Sequence, residues 1–402
     1  MTGSGAGLAG APHPPEAEKG TTMLFGADRI EECRDILRGR LALISSPSGR
    51  TVSNLSTIDA LHRTCDLRLL LAPEHGIRGD IADGVKFDHG VDAVSGLPMM
   101  SMYRQGAFGI PEAAYDLFDT LVYDVQDVGC RYYTFISTLK HAMEGCAKTG
   151  KRLVVLDRPD PLGRALEGNV PLPEDQSFVG CWSLPVRYGM TCGEFALMVR
   201  AEERLDLDLE VICCSGLGAD MDFPAWDRPW IMTSPAMPRF ETVALYPGTC
   251  LFEGTNCSEG RGTSDPFAII GAPYVDAEAF SLRLNALSGE LPGFLATPLW
   301  FTPTFSKHTG TLCGGVHIHL TDHKVLRSYE LGIRMLDLLR EMYPADFRIN
   351  APYEGMDRPF ISWLAGSRGF EDPDWNAEQM LLQAHRDCEA FVQRRDAYLL
   401  YR

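Results

Sequence analysis

Between residues 27 and 215, short apolar runs of strand length alternate with segments whose apolar positions recur at helical spacing. Ile30, Cys33 and Leu37 share one helical face, and Gly39 supplies a stop. A strand is predicted at 41–45, then a polar loop with Pro47 and Gly49, then a helix from Ser56 with Asp59 at capping-box spacing. The run 67–71 reads as a buried strand and leads into a long Gly- and Asp-rich loop through residue 105. Pro111 suits the first residue of a helix ending near Phe118. Strands follow at 120–124, 153–156 and 209–213, separated by helices at 135–149 and from the Thr191/Glu194 capping box to about 205. This alternation predicts an α/β fold, a Rossmann-like parallel sheet with right-handed crossovers.

The pattern then changes. A Pro-rich stretch between Pro224 and Pro247 reads as a connection. Beyond it come a polar loop, a helix at 277–287, strands around 299–305 and 314–320, and helices near 324–342 and 377–396. Strands grouped among helices predict a smaller α+β domain. The expected division is a disordered tail at 1–22, a Rossmann-like catalytic domain at 23–240, and a C-terminal α+β domain at 241–402 that closes the site.

Composition narrows the function classes. A net charge of −17 disfavours nucleic acid or an anionic membrane surface as partner. No apolar run approaches the roughly 18 residues a membrane span needs. Twelve cysteines without C-x-x-C pairs read as reduced, mostly buried thiols. With no signal-peptide pattern at the start, the expected location is the cytoplasm, unless the true leader lies upstream of the given start. Gly5, Gly7 and Gly10 match a dinucleotide fingerprint only by spacing, since no strand precedes them.

Candidate chemistry concentrates where strands end. The stretch LRLLLAPEHGIRGD runs an apolar strand into a charged loop. Pro73 ends the strand and delivers Glu74, His75, Arg78 and Asp80 to its carboxyl end, the edge where open α/β sheets bind ligands. Gly76 and Gly79 allow the turns such a loop needs. The strand at 120–124 runs into Gln126, Asp127, Arg131, Tyr132 and Tyr133, and the one at 153–156 into Asp157, Arg158 and Asp160. Three polar clusters on one edge converge by topology. Glu167 adds a carboxylate able to swing back over that edge. Asn256 and Arg261, in the Gly-rich EGTNCSEGRGTSD, suit a loop that closes on a ligand as hydrogen-bond donors.

His317, His319 and His323 raise the question of a metal, but no carboxylate or cysteine stands at compelling spacing, so no metal and no cofactor are expected. There is no G-x-S-x-G elbow, Walker loop or H-E-x-x-H. What remains suits acid/base chemistry on a polar, ring-shaped, anionic substrate such as a sugar. Carboxylates protonate leaving oxygens, and Tyr132, Tyr133 and Trp182 offer flat faces. A nucleotide-dependent oxidoreductase and a non-catalytic amino-sugar-binding protein are the alternatives.

The motifs LLLAPEHGIRGD, LVYDVQDVGCRYYTFISTL, LVVLDRPDPLGRALEGNV, WIMTSPAMP and LYPGTCLFEGTNCSEGRGTSDPF together resemble the exo-β-N-acetylmuramidases, bacterial glycoside hydrolases formerly a domain of unknown function. The likeness is strong over about 41–275. It implies a Rossmann-like catalytic domain without a nucleotide, a smaller C-terminal domain, and a site between them. It also implies release of non-reducing terminal N-acetylmuramic acid from peptidoglycan fragments, an oligosaccharide substrate. By that likeness Glu74 is the catalytic acid. Glu167 is the first choice for the second catalytic group, and Asp127 stands behind it.

Overall fold

The structure is a computed structural model, describing residues 22–79, 89–104, 107–219 and 222–402. The expected tail, through residue 21, and Asp80 lie outside the described residues.

The larger sheet is assembled from β1 (Arg40–Ser45), β2 (Asp66–Ala72), β3 (Gly90–Val91), β4 (Pro98–Ser101), β7 (Thr120–Asp124), β8 (Arg152–Leu156) and β9 (Leu209–Ile212), in the order β3-β4-β2-β1-β7-β8-β9. β3 is antiparallel and every other pairing is parallel. β5 (Tyr103–Arg104) and β6 (Ala107–Phe108) form a separate hairpin within the long loop. β1, β7 and β8 bury almost every residue, as strands covered on both faces must. The chain builds outward from β1 to β2 and β4, then returns to β7, so the order reverses between β1 and β7.

Around this sheet lie α1 (Thr57–Thr64), α2 (Phe135–Thr149) and α3 (Cys192–Glu202). Ser56 caps α1 by accepting the Asp59 N–H, and Thr191 and Glu194 form the reciprocal box at the start of α3. Gly150 ends α2 in the left-handed conformation that suits glycine. Two expected helices are corrected. Residues 26–37 form a 3₁₀ turn, Gly26–Arg29, followed by further turns. The reason is tertiary: the Gly26 N–H bonds to the Asp157 carbonyl at 2.8 Å, and a side chain at Gly26 would lie 2.5 Å from the Ile212 carbonyl oxygen. The segment is drawn flat against the ends of β8 and β9. After Pro111 only the 3₁₀ turn Glu112–Ala114 forms, since a segment this short cannot offset the cost of helix nucleation.

The second part contains a three-stranded antiparallel sheet, β10 (Ile269–Ala272), β12 (Cys313–Leu320) and β11 (Phe294–Phe301), with β12 central. With it go α4 (Phe240–Thr249), α5 (Ala277–Asn285), α6 (Ser328–Met342), α7 (Phe360–Ala365) and α8 (Ala377–Arg395). The connection expected through Pro247 becomes helical in α4, which contains that proline. Gly248 explains how: a side chain there would strike the Ser328 carbonyl, so two glycines, Gly248 and Gly332, let α4 and α6 cross at backbone contact. Residue 240, the expected boundary, opens α4. One hydrophobic core runs continuously from the larger sheet through α2 and α4 to β12 and α6. No described helix is long and apolar enough to cross a membrane.

Candidate active site

Glu74 owes its position to three local devices. Pro73 ends β2, and His75 and Gly76 then both take positive φ, 70° and 75°, which turns the chain sharply. Positive φ at a non-glycine residue is backbone strain that tertiary contacts must hold. His75 is buried edge-on against Phe135 at the start of α2. Thr134, at the N-cap position of α2, does not cap its own helix; its hydroxyl donates to Glu74 Oε2 at 2.6 Å. Tyr103 is hydrogen-bonded to Glu74 as well, and its phenol is pushed up to about 12, first by burial and then by the Glu74 charge. Glu74 therefore stands at the positive end of a helix between two hydroxyls.

These groups open into a cavity of about 1000 Å³. The larger-sheet part contributes Glu74, His75, Tyr103, Phe108, Tyr132, Tyr133 and Phe178; the second part contributes Tyr246, Glu253, Arg261, Phe267, Phe305 and Trp363. Phe108 stacks on Phe178 with centroids 4.5 Å apart, and Tyr103 packs beside both. Tyr133 anchors its hydroxyl on Thr233 at 2.7 Å. Flat faces and a few fixed polar groups are what a sugar ring requires.

Five of the residues singled out in the sequence thus meet at one cavity: Glu74, His75, Tyr132, Tyr133 and Arg261. The others are placed elsewhere, each by an internal partner. Arg158 forms a bidentate pair with Asp124 at 2.6 and 3.0 Å, buried at the ends of β7 and β8. Asp157 accepts hydrogen bonds from Tyr401, Thr191 and the Gly193 N–H, at 2.6 to 2.8 Å. Arg131 is fully buried and donates to the carbonyls of Leu184, Leu364 and Ala365. Gln126 donates to the carbonyls of Asp127 and Pro159. Arg78 pairs with Asp92 at 2.6 Å, and Asn256 bonds to Tyr274 and to the backbone of Asp346 and Arg348.

The two carboxylates named beside Glu74 are likewise engaged. Glu167 pairs with Arg187 at 2.9 Å and accepts the Tyr329 N–H that opens α6. Asp127 accepts from Tyr188 at 2.6 Å and from the Gly129 N–H, and burial pushes it up to about 6. Neither lines the cavity. Strand-end topology brings these side chains to one edge, but their own partners fold most of them into the scaffold. The same pairs occupy the crevice between β1 and β7 where a doubly wound sheet would seat a nucleotide: Arg158 and Asp124 fill it together with Thr57. Of the histidines, His317 meets Asp265, His319 meets Thr297 and His323 meets Asp222, each a structural pairing. Trp182 is packed under Lys140 and Arg394, and Trp363 is the tryptophan that lines the cavity.

Sequence reasoning missed Glu253, although it opens the EGTNCSEG motif. Arg261 donates to Glu253 Oε1 at 2.8 Å and lies 3.5 Å from Glu259, which Lys307 also holds at 2.8 Å. Burial and the Glu259 charge push Glu253 up to about 8, against Lys307. The available signal was its place in the same glycine-rich motif as Arg261.

Comparison with known proteins agrees with this architecture. The N-terminal profile of the exo-β-N-acetylmuramidase NamZ matches residues 41–241, and the C-terminal profile matches 244–401. The peptidoglycan β-N-acetylmuramidase NamZ of Bacillus subtilis is 37% identical over 368 residues, covering 90% of this chain and 87% of that protein. Two crystal structures of DUF1343 family proteins from Bacteroides fragilis superpose on it. One has a TM-score of 0.86 and 31% identity over 94% of this chain and 99% of that one; the other has 0.75 and 29% over 95% and 99%. The chain belongs to the exo-β-N-acetylmuramidase family of glycosidases.

Proposed function

We propose that this enzyme releases the non-reducing terminal N-acetylmuramic acid from peptidoglycan-derived glycans by carboxylate acid/base catalysis centred on Glu74. The observation that carries the reading is the cavity itself: Glu74 and Glu253 reach it from separate parts of the chain, between aromatic walls. A glycosidic bond breaks when one carboxyl group protonates the leaving oxygen while negative charge supports the oxocarbenium-like sugar. The lactyl carboxylate that distinguishes this sugar from N-acetylglucosamine needs a cation. Arg78, Arg131 and Arg158 lie away from the cavity on their own partners, and among the described residues Arg261, which also meets Glu253 and Glu259, is the guanidinium that lines it.

The test is incubation with a muramyl-containing disaccharide and with its N-acetylglucosamine counterpart. The reading expects release of the terminal sugar from the first only. Bound nucleotide in the purified protein, or ligand binding without turnover, would replace it with an oxidoreductase or a binding protein. Glu74→Gln keeps the shape but cannot exchange a proton, and should lower turnover by about 10²–10⁴-fold. More than a tenth of wild-type activity on the disaccharide would remove Glu74 from the role.

A further inference from the structure

We infer that Phe305 binds the leaving part of the glycan, as a flat platform at the cavity mouth for the sugar ring that follows the cleaved bond. The inference rests on the glycosidase reading above and extends it to the other side of that bond.

The cavity has an inner end and a mouth. Tyr132, Tyr133, Tyr246 and Phe267 line it and are each 6% exposed or less, whereas Phe305 is 60% and Met356 44% exposed. Its volume of about 1000 Å³ stands at the top of the roughly 300–1,000 Å³ of sites that enclose a drug-sized ligand, which leaves room for more than one sugar ring. An enzyme that removes a terminal sugar takes that ring into the closed end, and the rest of the glycan must leave through the mouth. The side chains at the mouth therefore meet the ring next to the scissile bond.

Phe305 is exposed on a loop that is otherwise tied inward. The Thr304 N–H and hydroxyl both donate to the Gly262 carbonyl at 2.9 Å. Lys307 places all three of its donors within the protein, on the Phe252 and Cys257 carbonyls and on Glu259, at 2.7 to 2.9 Å. His308 Nε2 meets the Asn256 carbonyl at 2.7 Å, and the Gly310 N–H closes the loop on the Pro303 carbonyl at 2.9 Å. Ser306 and His308 hold positive φ, 69° and 57°, a strain that these contacts must support. Gly262, next to Arg261 in the chain, permits the close approach: a side chain there would lie 2.5 Å from the Phe305 carbonyl oxygen. A large apolar ring is thus held in the open by a loop that needs no ordering when a ligand arrives.

The face of that ring is also available. Phe108, the exposed aromatic on the larger-sheet side, stacks on Phe178, whereas Phe305 has no aromatic partner among the described residues. Covering it with the C–H face of a sugar removes apolar surface from water and orients the sugar ring without requiring a charge. Met356 is flexible and has no flat face, so it can fill space at the mouth but cannot set a ring's plane.

The test compares wild type, Phe305→Ala and Phe305→Tyr on the muramyl disaccharide and on N-acetylmuraminyl fluoride, which keeps the terminal sugar but has a leaving group with no ring. Phe305→Ala should lose about tenfold in kcat/KM on the disaccharide, mainly through KM, because the platform holds the leaving ring alike before and during bond cleavage. On the fluoride it should lose under about twofold, which also reports that the variant is folded. Phe305→Tyr keeps the flat face and should stay within about threefold of wild type on both substrates. Near-wild-type disaccharide activity in Phe305→Ala, equal losses on the two substrates, or a tyrosine variant as impaired as the alanine one would overturn the assignment. Wild type that cleaves neither substrate would overturn the glycosidase reading itself, and this inference with it.

Discussion

At the scale of single residues, this molecule places the same side-chain types in two settings, and whether the side chain reaches the cavity separates them. Arg158 and Arg261 are both arginines near strand ends or loops at the site, yet Arg158 is locked on Asp124 while Arg261 lines the cavity. Arg158→Met should therefore leave an uncompensated buried Asp124 charge and lower unfolding free energy by about 3–5 kcal/mol, measured by urea titration. Stability within about 1 kcal/mol of wild type, roughly a fivefold change in equilibrium constant, would mean the pair is dispensable. Arg261→Lys should act on selectivity. A lysine cannot present the bidentate fork, so the preference for the lactyl-bearing sugar over N-acetylglucosamine should drop about tenfold or more in kcat/KM. Unchanged preference would assign lactyl recognition to another group.

At the scale of elements, the loop after β2 and the start of α2 work as one device. Gly79 has φ +74°, and a side chain there would lie 2.6 Å from Pro47 Cγ. Gly79→Ala should cost about 1–2 kcal/mol from the left-handed backbone alone, and the clash should shift Glu74 and lower kcat. A variant with full kcat would show that the loop tolerates repositioning. The helices and strands were mostly legible: 120–124 and 135–149 match β7 and α2 residue for residue. Those that were not share one cause. Residues 26–37 and α4 are decided by what packs on them, the ends of β8 and β9 against Gly26 in one case and the Gly332 backbone in the other. Local periodicity carries no record of either neighbour.

At the scale of the whole molecule, buried carboxyl groups give the fold a pH dependence. Burial raises Asp127 and Asp157 to about 6 and Asp160 to about 7. A carboxyl held above its unfolded value of about 4 contributes stability that is complete below that value and is lost as pH rises through the folded value. Asp92 and Asp119 are held well below the ordinary range by Arg78 and Arg40, so their contribution is lost only on stronger acidification. His319, lowered by burial, works against the trend as one half-buried group against three buried ones. The protein should thus resist urea better at pH 5 than at pH 8, with each tenfold gain in a carboxyl group's proton affinity on folding worth up to about 1.4 kcal/mol. Asp160→Asn should narrow that difference. A higher urea midpoint at pH 8 would show that these carboxyls are ionised at little cost.

The chain's own pattern determined the alternation of strands and helices, the polar loops at the carboxyl ends of the strands, and Glu74 at the end of β2, because strand length, proline punctuation and helix caps are local. Tertiary structure alone decided which polar residues at that edge line the cavity and which hold the scaffold. Glu167, Asp127, Asp157, Arg131 and Arg158 have partners 20 to 244 positions away in the chain. It also decided that Glu253, unremarkable in sequence, shares a cavity with Glu74. A carboxyl group's proton affinity depends on the charges and the solvent around it, and those are set only when distant segments pack together.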